Sequence, residues 1–136
     1  MADGAHKNQQ ALDYLSLLVI GIARSTEANR QATDEHWNER FILPLRLGHL
    51  RVCCGGRALY TWTRPRAPLT QTPTPADWRR EGAPLWVVDF LFRPELTVMQ
   101  AVRGGHADMV RTGIAMKHEK YLFWRSGRDR YGYMRA

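Results

Sequence analysis

Asp89 interrupts Leu85–Phe92 (Leu-Trp-Val-Val-Asp-Phe-Leu-Phe), the most apolar run of the chain. A carboxylate inside such a run is costly to bury unless it is paired or put to use. Either it points outward at a sheet edge or takes one structural hydrogen bond, or it stands at a cleft and orients a base. The bases on offer are five histidines. His36, beside Trp37, reads either as a partly exposed helix residue or as a partner that a loop brings to Asp89. His49 reads as a surface residue of a strand, and His6, His106 and His118 fall in tail, loop and turn positions. No two histidines stand four apart, so no metal site is expected.

Cys53 and Cys54 are adjacent and cannot join distant parts of the chain. Two thiols without paired histidines make a poor zinc site, so they read as two small apolar strand residues, and nothing demands an oxidising compartment. Gly55-Gly56 and Gly104-Gly105 are bare pairs that read as turns, not as a phosphate-binding loop. A serine-nucleophile elbow is absent from the sequence.

The elements that must position these residues follow from pattern. Gln10 to Arg24 carries no proline and is rich in Leu, Ile and Ala, which predicts a largely buried first helix. A second helix could start at Thr33 or Asp34, and Pro44 makes its continuation costly. His49–Cys54 and Ala58–Thr63 predict two strands around Gly55-Gly56. The proline-rich stretch Arg64–Ala76 is a loop, and Thr74-Pro75 opens a short helix through Trp78 and Arg80. Leu85–Phe92 predicts a central strand buried on both faces. Pro94 starts a helix that reaches Ala101 or Val102 and closes at Gly104-Gly105. Thr112–Met116 and Tyr121–Arg125 predict a hairpin across Lys117–Lys120, with Tyr131–Met134 as a last strand. Together these give an α+β domain with a mixed or antiparallel sheet flanked by helices, over residues 10–136, behind a flexible polar N-terminus of residues 1–9.

The chain has 136 residues, of which 44% are hydrophobic and 24% charged, which suits one domain and excludes wholesale disorder. Twenty Lys and Arg against thirteen Asp and Glu leave a formal charge of +7, so acidic partners are favoured. The apolar stretch Leu15–Ala23 falls short of the roughly 20 residues that span a bilayer, and no secretory pattern opens the chain. A soluble, cytoplasmic protein without a membrane span is expected.

Several motifs, in order, resemble the toxin-activating (haemolysin-activating) lysine acyltransferases. Leu43-Pro44 and then Leu47-Gly48-His49-Leu50-Arg51 resemble that family's Leu-Pro…Leu-Gly-Gln-Tyr-Arg segment. Ala58–Trp62 resembles its Pro-Val-Gly-Phe-x-x-Trp strand, and Asp77-Trp78 followed by Gly82 its Asp-Trp-x-Ser-Gly turn. Leu85-Trp86-Val87-Val88-Asp89 resembles the Leu-Trp-Ile-Ile-Asp strand that carries its catalytic aspartate. The resemblance spans about Leu12 to Gly105 and implies an acetyltransferase-like fold and a homodimer. It also implies transfer of a fatty acyl group from acyl carrier protein, as co-substrate and without a bound cofactor, to a lysine of an acceptor protein. Such chemistry needs a base, because a lysine amine of pKa ~10.4 is protonated at neutral pH. A histidine steadied by a carboxylate would serve, and a basic face would steer in the acidic carrier.

Two segments depart from the family pattern. Its histidine falls in a Ser-x-x-His-Arg-like segment, which here reads Ser25-Thr26-Glu27-Ala28-Asn29-Arg30, with Asn29 at the expected position. An amide cannot act as the base, but Asn29 could position substrate; the resemblance implies the same role for Ser25, Arg30 and Trp86, with Asp89 and His36 as the catalytic pair. After Asp89 the family continues Ala-Pro-Phe-Gly, whereas this chain has Leu91-Phe92-Arg93-Pro94-Glu95 and lacks that glycine. The pattern also fits an inactive relative that binds another protein as an inhibitor or adaptor.

A third reading rests on the last twenty residues. Lys117, Lys120, Arg125, Arg128, Arg130 and Arg135 stand there against Glu119 and Asp129, interleaved with Tyr121, Phe123, Trp124, Tyr131 and Tyr133. That composition suits single-stranded nucleic acid, or an ordinary pair of strands with charges outward, or a docking face for the acidic carrier.

Overall fold

The two strongest apolar runs form strands where their patterns place them. In the computed structural model, which describes residues 15, 17–22, 24–25, 38–69, 73–82, 84–124 and 131–136, they are the second and third strands of one sheet. The strands are β1 (Leu50–Cys53), β2 (Ala58–Thr63), β3 (Leu85–Phe92), β4 (Lys120–Trp124) and β5 (Tyr131–Arg135), and they lie side by side in chain order. Every neighbouring pair is antiparallel except β3 and β4, which run parallel. A parallel pair needs a long crossover, and here a helix supplies it. The result is a small α+β domain with a mixed sheet.

Helices cover both faces. Residues 17–22 are helical (α1), as are 24 and 25; a π-helical turn (Asn38–Ile42) then leads directly into α2 (Leu43–Arg46). Val19, Ile22, Phe41, Ile42 and Leu45 from these segments bury Leu50 and Leu59 on one face. On the other, α3 (Val98–Arg111) packs with Ala58, Tyr60, Trp62, Leu85 and Val87, using Met109 as its deepest side chain. Pro44 does not end the helical segment, because it lies in the first turn of α2, where its missing N–H is not needed.

Several expected boundaries differ. The helix placed at Pro94–Val102 instead starts at Val98 and runs through Gly104-Gly105 to Arg111. Thr97 and Gln100 form a reciprocal capping box that fixes the start, while residues 93–96 make a turn. The glycine pair is a seat, not a stop. A Cβ at Gly104 would fall on Cys54 Sγ, and one at Gly105 would lie 2.6 Å from Phe90 Cε2. Thr112–Met116 is not a strand; it is a turn that buries Ile114 and Ala115 and bonds back to Met109. The strand that follows pairs with β3 and β5 instead of forming the expected hairpin.

Cys54 also leaves its expected strand. With Gly55 and Gly56 it forms a 3-10 turn, so the β1–β2 connection is longer than two residues. The helix at Pro75 is a single 3-10 turn that stops at Asp77. The central strand β3 is fully buried only over Leu85–Val87, and Val88–Phe92 are half-buried. Among the described residues, no helix is long and apolar enough to cross a membrane.

Candidate functional site

Strand parity would put Asp89 on the face of Leu85 and Val87, against α3. A β-bulge prevents this. Thr61 pairs with Asp89 and Trp62 with Val87, which leaves Val88 as the extra residue. Beyond it the alternation is inverted: Phe90 and Phe92 join Leu85 and Val87 on the α3 face, whereas Leu91 packs with the α1–α2 cluster. Asp89 is thereby turned to the α1–α2 face, where its N–H donates to Thr61 Oγ1 at 3.0 Å. Bulges of this kind re-aim side chains beside functional sites.

Arg40, from the π-helical turn, meets Asp89 there. Its Nε donates to Oδ2 at 3.1 Å and its Nη2 to Oδ1 at 2.7 Å, a two-point bond. Hydrogen bonding to Asp89 raises the guanidinium's pKa above its already high ordinary value, against the opposing effect of burial. The Asp89 side chain is 11% exposed and that of Arg40 43%, so the pair meets solvent chiefly through the guanidinium. Nothing near Arg40 in the sequence marks it as a partner; it lies 49 positions from Asp89 and only the packing of the π-helical turn unites them.

The β4-side edge of β3 runs past this pair. Its parallel register with β4 covers only Leu85–Val87 against Tyr121–Phe123, while β3 runs on to Phe92. Among the described residues, none pairs with Val88–Phe92 on that side. An extended amide-containing chain could take up such backbone donors and acceptors.

The other expected site residues are placed differently. Trp86 is buried against Leu69 and Leu122. Ser25 Oγ donates to the Ile22 carbonyl at 2.6 Å, as a helix-end bond. Asn29, Arg30 and His36 lie outside the described residues. His49 is a correction: it is 3% exposed, not a surface residue. Its Nδ1 bonds the Trp62 carbonyl at 2.9 Å and its ring is flanked by Trp62 and Trp78. Burial lowers its pKa, with the Trp62 carbonyl opposing. His106 lies in α3 and not in a loop, with Nε2 2.7 Å from the Tyr121 hydroxyl, and burial lowers its pKa too.

A second charged centre was missed. Asp108 on α3 is 5% exposed and accepts two bonds from Arg51 at 3.0 Å, one from Tyr60 at 2.6 Å and one from Arg111 at 2.7 Å. Burial disfavours its ionised form, but the bonds from Arg51 and Tyr60 outweigh this and its pKa is lowered. Its position was legible in principle, because Ala101, Gly105, Asp108 and Met109 share the buried stripe of α3. It ties α3 to β1 and β2 and lines no described opening.

Among the described residues, no group of three or more His, Cys, Asp or Glu could hold a metal ion. Comparison with protein-family models, curated proteins and solved structures gives no match.

Proposed function

We propose that this chain is a protein-lysine acyltransferase that takes its acyl group from an acyl carrier protein. The observation that carries this reading is the bulge at Val88, which turns Asp89 to the α1–α2 face, on a stretch of β3 that no described residue pairs on the β4 side. The carrier's prosthetic arm is an amide-containing chain, and the backbone of Val88–Phe92, which no described residue pairs on the β4 side, offers it partners. The formal charge of +7 favours an acidic carrier.

In the reaction, the acceptor lysine ammonium loses a proton and its amine attacks the thioester carbonyl. The C–N bond forms, the C–S bond breaks, and the carrier leaves as a thiol. Asp89 steadies the positive charge of the proton acceptor. The reading assigns that acceptor role to His36, which precedes Arg40 by four positions in the chain. No bound cofactor is required, and the family resemblance adds a homodimer.

A second reading has its own support. Arg40 engages both oxygens of Asp89, and a guanidinium cannot accept a proton. With Asn29 at the expected histidine position, this favours an inactive relative that binds a protein through the same face. Intact-mass spectrometry of the protein with a panel of acyl-loaded carriers decides between them. Acyl loss that depends on Asp89 supports the transferase; no turnover by the folded protein with any donor supports the binding reading.

A further inference from the structure

Cys53 ends β1 and Cys54 opens the turn to β2, with their sulfurs 3.8 Å apart. Cys53 is extended and buried, while Cys54 is half-buried and held at φ +56°. That is the left-handed region, which residues with a Cβ rarely adopt and which collects at functional positions. Gly55 and Gly56 continue the turn at φ +66° and +85°, where glycine is at ease. The Cys54 sulfur reaches α3, 3.9 Å from the Ala101 carbonyl, and occupies the space that the missing Cβ of Gly104 leaves.

We propose that Cys53 and Cys54 are a reversible dithiol–disulfide pair, closed by a low-molecular-weight disulfide, whose closure draws the Cys54 sulfur out of its seat on α3. The Cys54 thiolate attacks one sulfur of the external disulfide and releases one thiolate. Cys53 then gives its proton to solvent and attacks the Cys54 sulfur, releasing the second. Two protein thiols are oxidised and one external disulfide is reduced to two thiols. Burial pushes the Cys53 thiol up, so the second step speeds as pH rises.

Bond formation shortens the sulfur separation from 3.8 Å to about 2.05 Å. Neighbouring Cα atoms stand about 3.8 Å apart, closer than the roughly 4.4–6.8 Å of relaxed disulfides, so the closed bond is strained. The bond is therefore readily reduced, as a regulatory disulfide must be. It is independent of the acyltransferase reading and acts on the helix that links β3 to β4.

The test is incubation of the full chain with glutathione disulfide, maleimide trapping, intact mass and peptide mapping. Wild type should lose both thiols together, stay monomolecular, become two hydrogens lighter and recover on reduction. Cys53→Ser should stop at a stable mixed disulfide on Cys54, and Cys54→Ser should react roughly tenfold more slowly or less. Gly104→Ala, which displaces the Cys54 sulfur, should speed its trapping. The proposal is overturned if folded wild type stops at a glutathione adduct with Cys53 still free, joins two chains, or does not react. The wild-type mass alone decides should a variant fail to fold.

Discussion

Arg40 and Asp89 form a two-point ion pair across 49 positions of sequence, with Nη2 2.7 Å from Oδ1 and Nε 3.1 Å from Oδ2. The pair fastens the π-helical turn to the central strand at the bulge. It also bears on the proposed activity, because the carboxylate to which that proposal gives a catalytic role is engaged at both oxygens by a cation that is always protonated. Removing either partner thus separates a chemical role from a structural one.

For that pair, Asp89→Ala and Arg40→Gln are each expected to lower stability by only about 1 kcal/mol, since the guanidinium is 43% exposed and solvent screens the loss. Under the proposed activity, Asp89→Ala should reduce acyl transfer by roughly a hundredfold or more with the fold intact. Urea denaturation and the carrier deacylation assay read the two effects separately. A large stability loss with unchanged transfer would assign Asp89 a structural role only.

The same chemical change should have opposite signs in two helices. Among the described residues nothing lies within 4 Å of a Cβ placed on Gly21 in α1, so Gly21→Ala should stabilise by about 0.5–1 kcal/mol through helix propensity. Gly105→Ala gains the same propensity but drives a Cβ to 2.6 Å from Phe90 Cε2. Phe90 is held in β3 and stacks with Tyr60, so net destabilisation of about 1–2 kcal/mol is expected. Thermal melts of the two variants check the sign; stabilisation by Gly105→Ala would show that Phe90 yields freely.

These glycines also show where sequence reading stopped. Ala58–Thr63 and Leu85–Phe92 are legible because mostly apolar, β-branched and aromatic runs without Gly or Pro have few alternatives to buried strands. Gly104-Gly105 looked like a helix stop because local propensity says so; tertiary packing against Cys54 and Phe90 overrides it. Asp89 was legible as a misfit in its strand, but its orientation was not, since Val88 inverts the parity on which such arguments rest. Arg40 could not be found at all without the fold. His49 was misjudged because its burial comes from Trp62 and Trp78, of which Trp78 lies in a separate loop.

Asp108 should hold α3 in place. Asp108→Asn keeps the shape but removes the charge facing Arg51, Arg111 and the Tyr60 hydroxyl. Breaking a buried pair from the buried side costs several kcal/mol, but Arg51 is 38% exposed and can turn to water. A loss of about 2 kcal/mol is expected in denaturant titration. Because the folded pKa is lowered from 3.8, wild type holds this contribution above that value and loses it as pH falls through the lower folded value. Asp108→Asn should therefore flatten the acid limb of the stability curve, and an unchanged limb would assign it to other carboxylates.

Two histidines should govern stability at milder pH. His49 and His106 are both lowered from 6.5, chiefly by burial, so the folded state favours their neutral forms. At pH values between each folded pKa and 6.5 the unfolded chain binds more protons than the folded one, and stability there rises with pH. The contribution is complete above 6.5 and is lost as pH falls through the folded values. Melting temperature should thus fall when the protein is moved from neutral to mildly acidic buffer, before the carboxylates titrate. His49→Gln keeps a donor for the Trp62 carbonyl while abolishing titration, and His106→Gln keeps a donor for the Tyr121 hydroxyl. Each variant should shallow the slope between neutral and mildly acidic pH, and the double variant should nearly remove it. A slope unchanged in the double variant would mean that both rings gain their protons without loss of the fold.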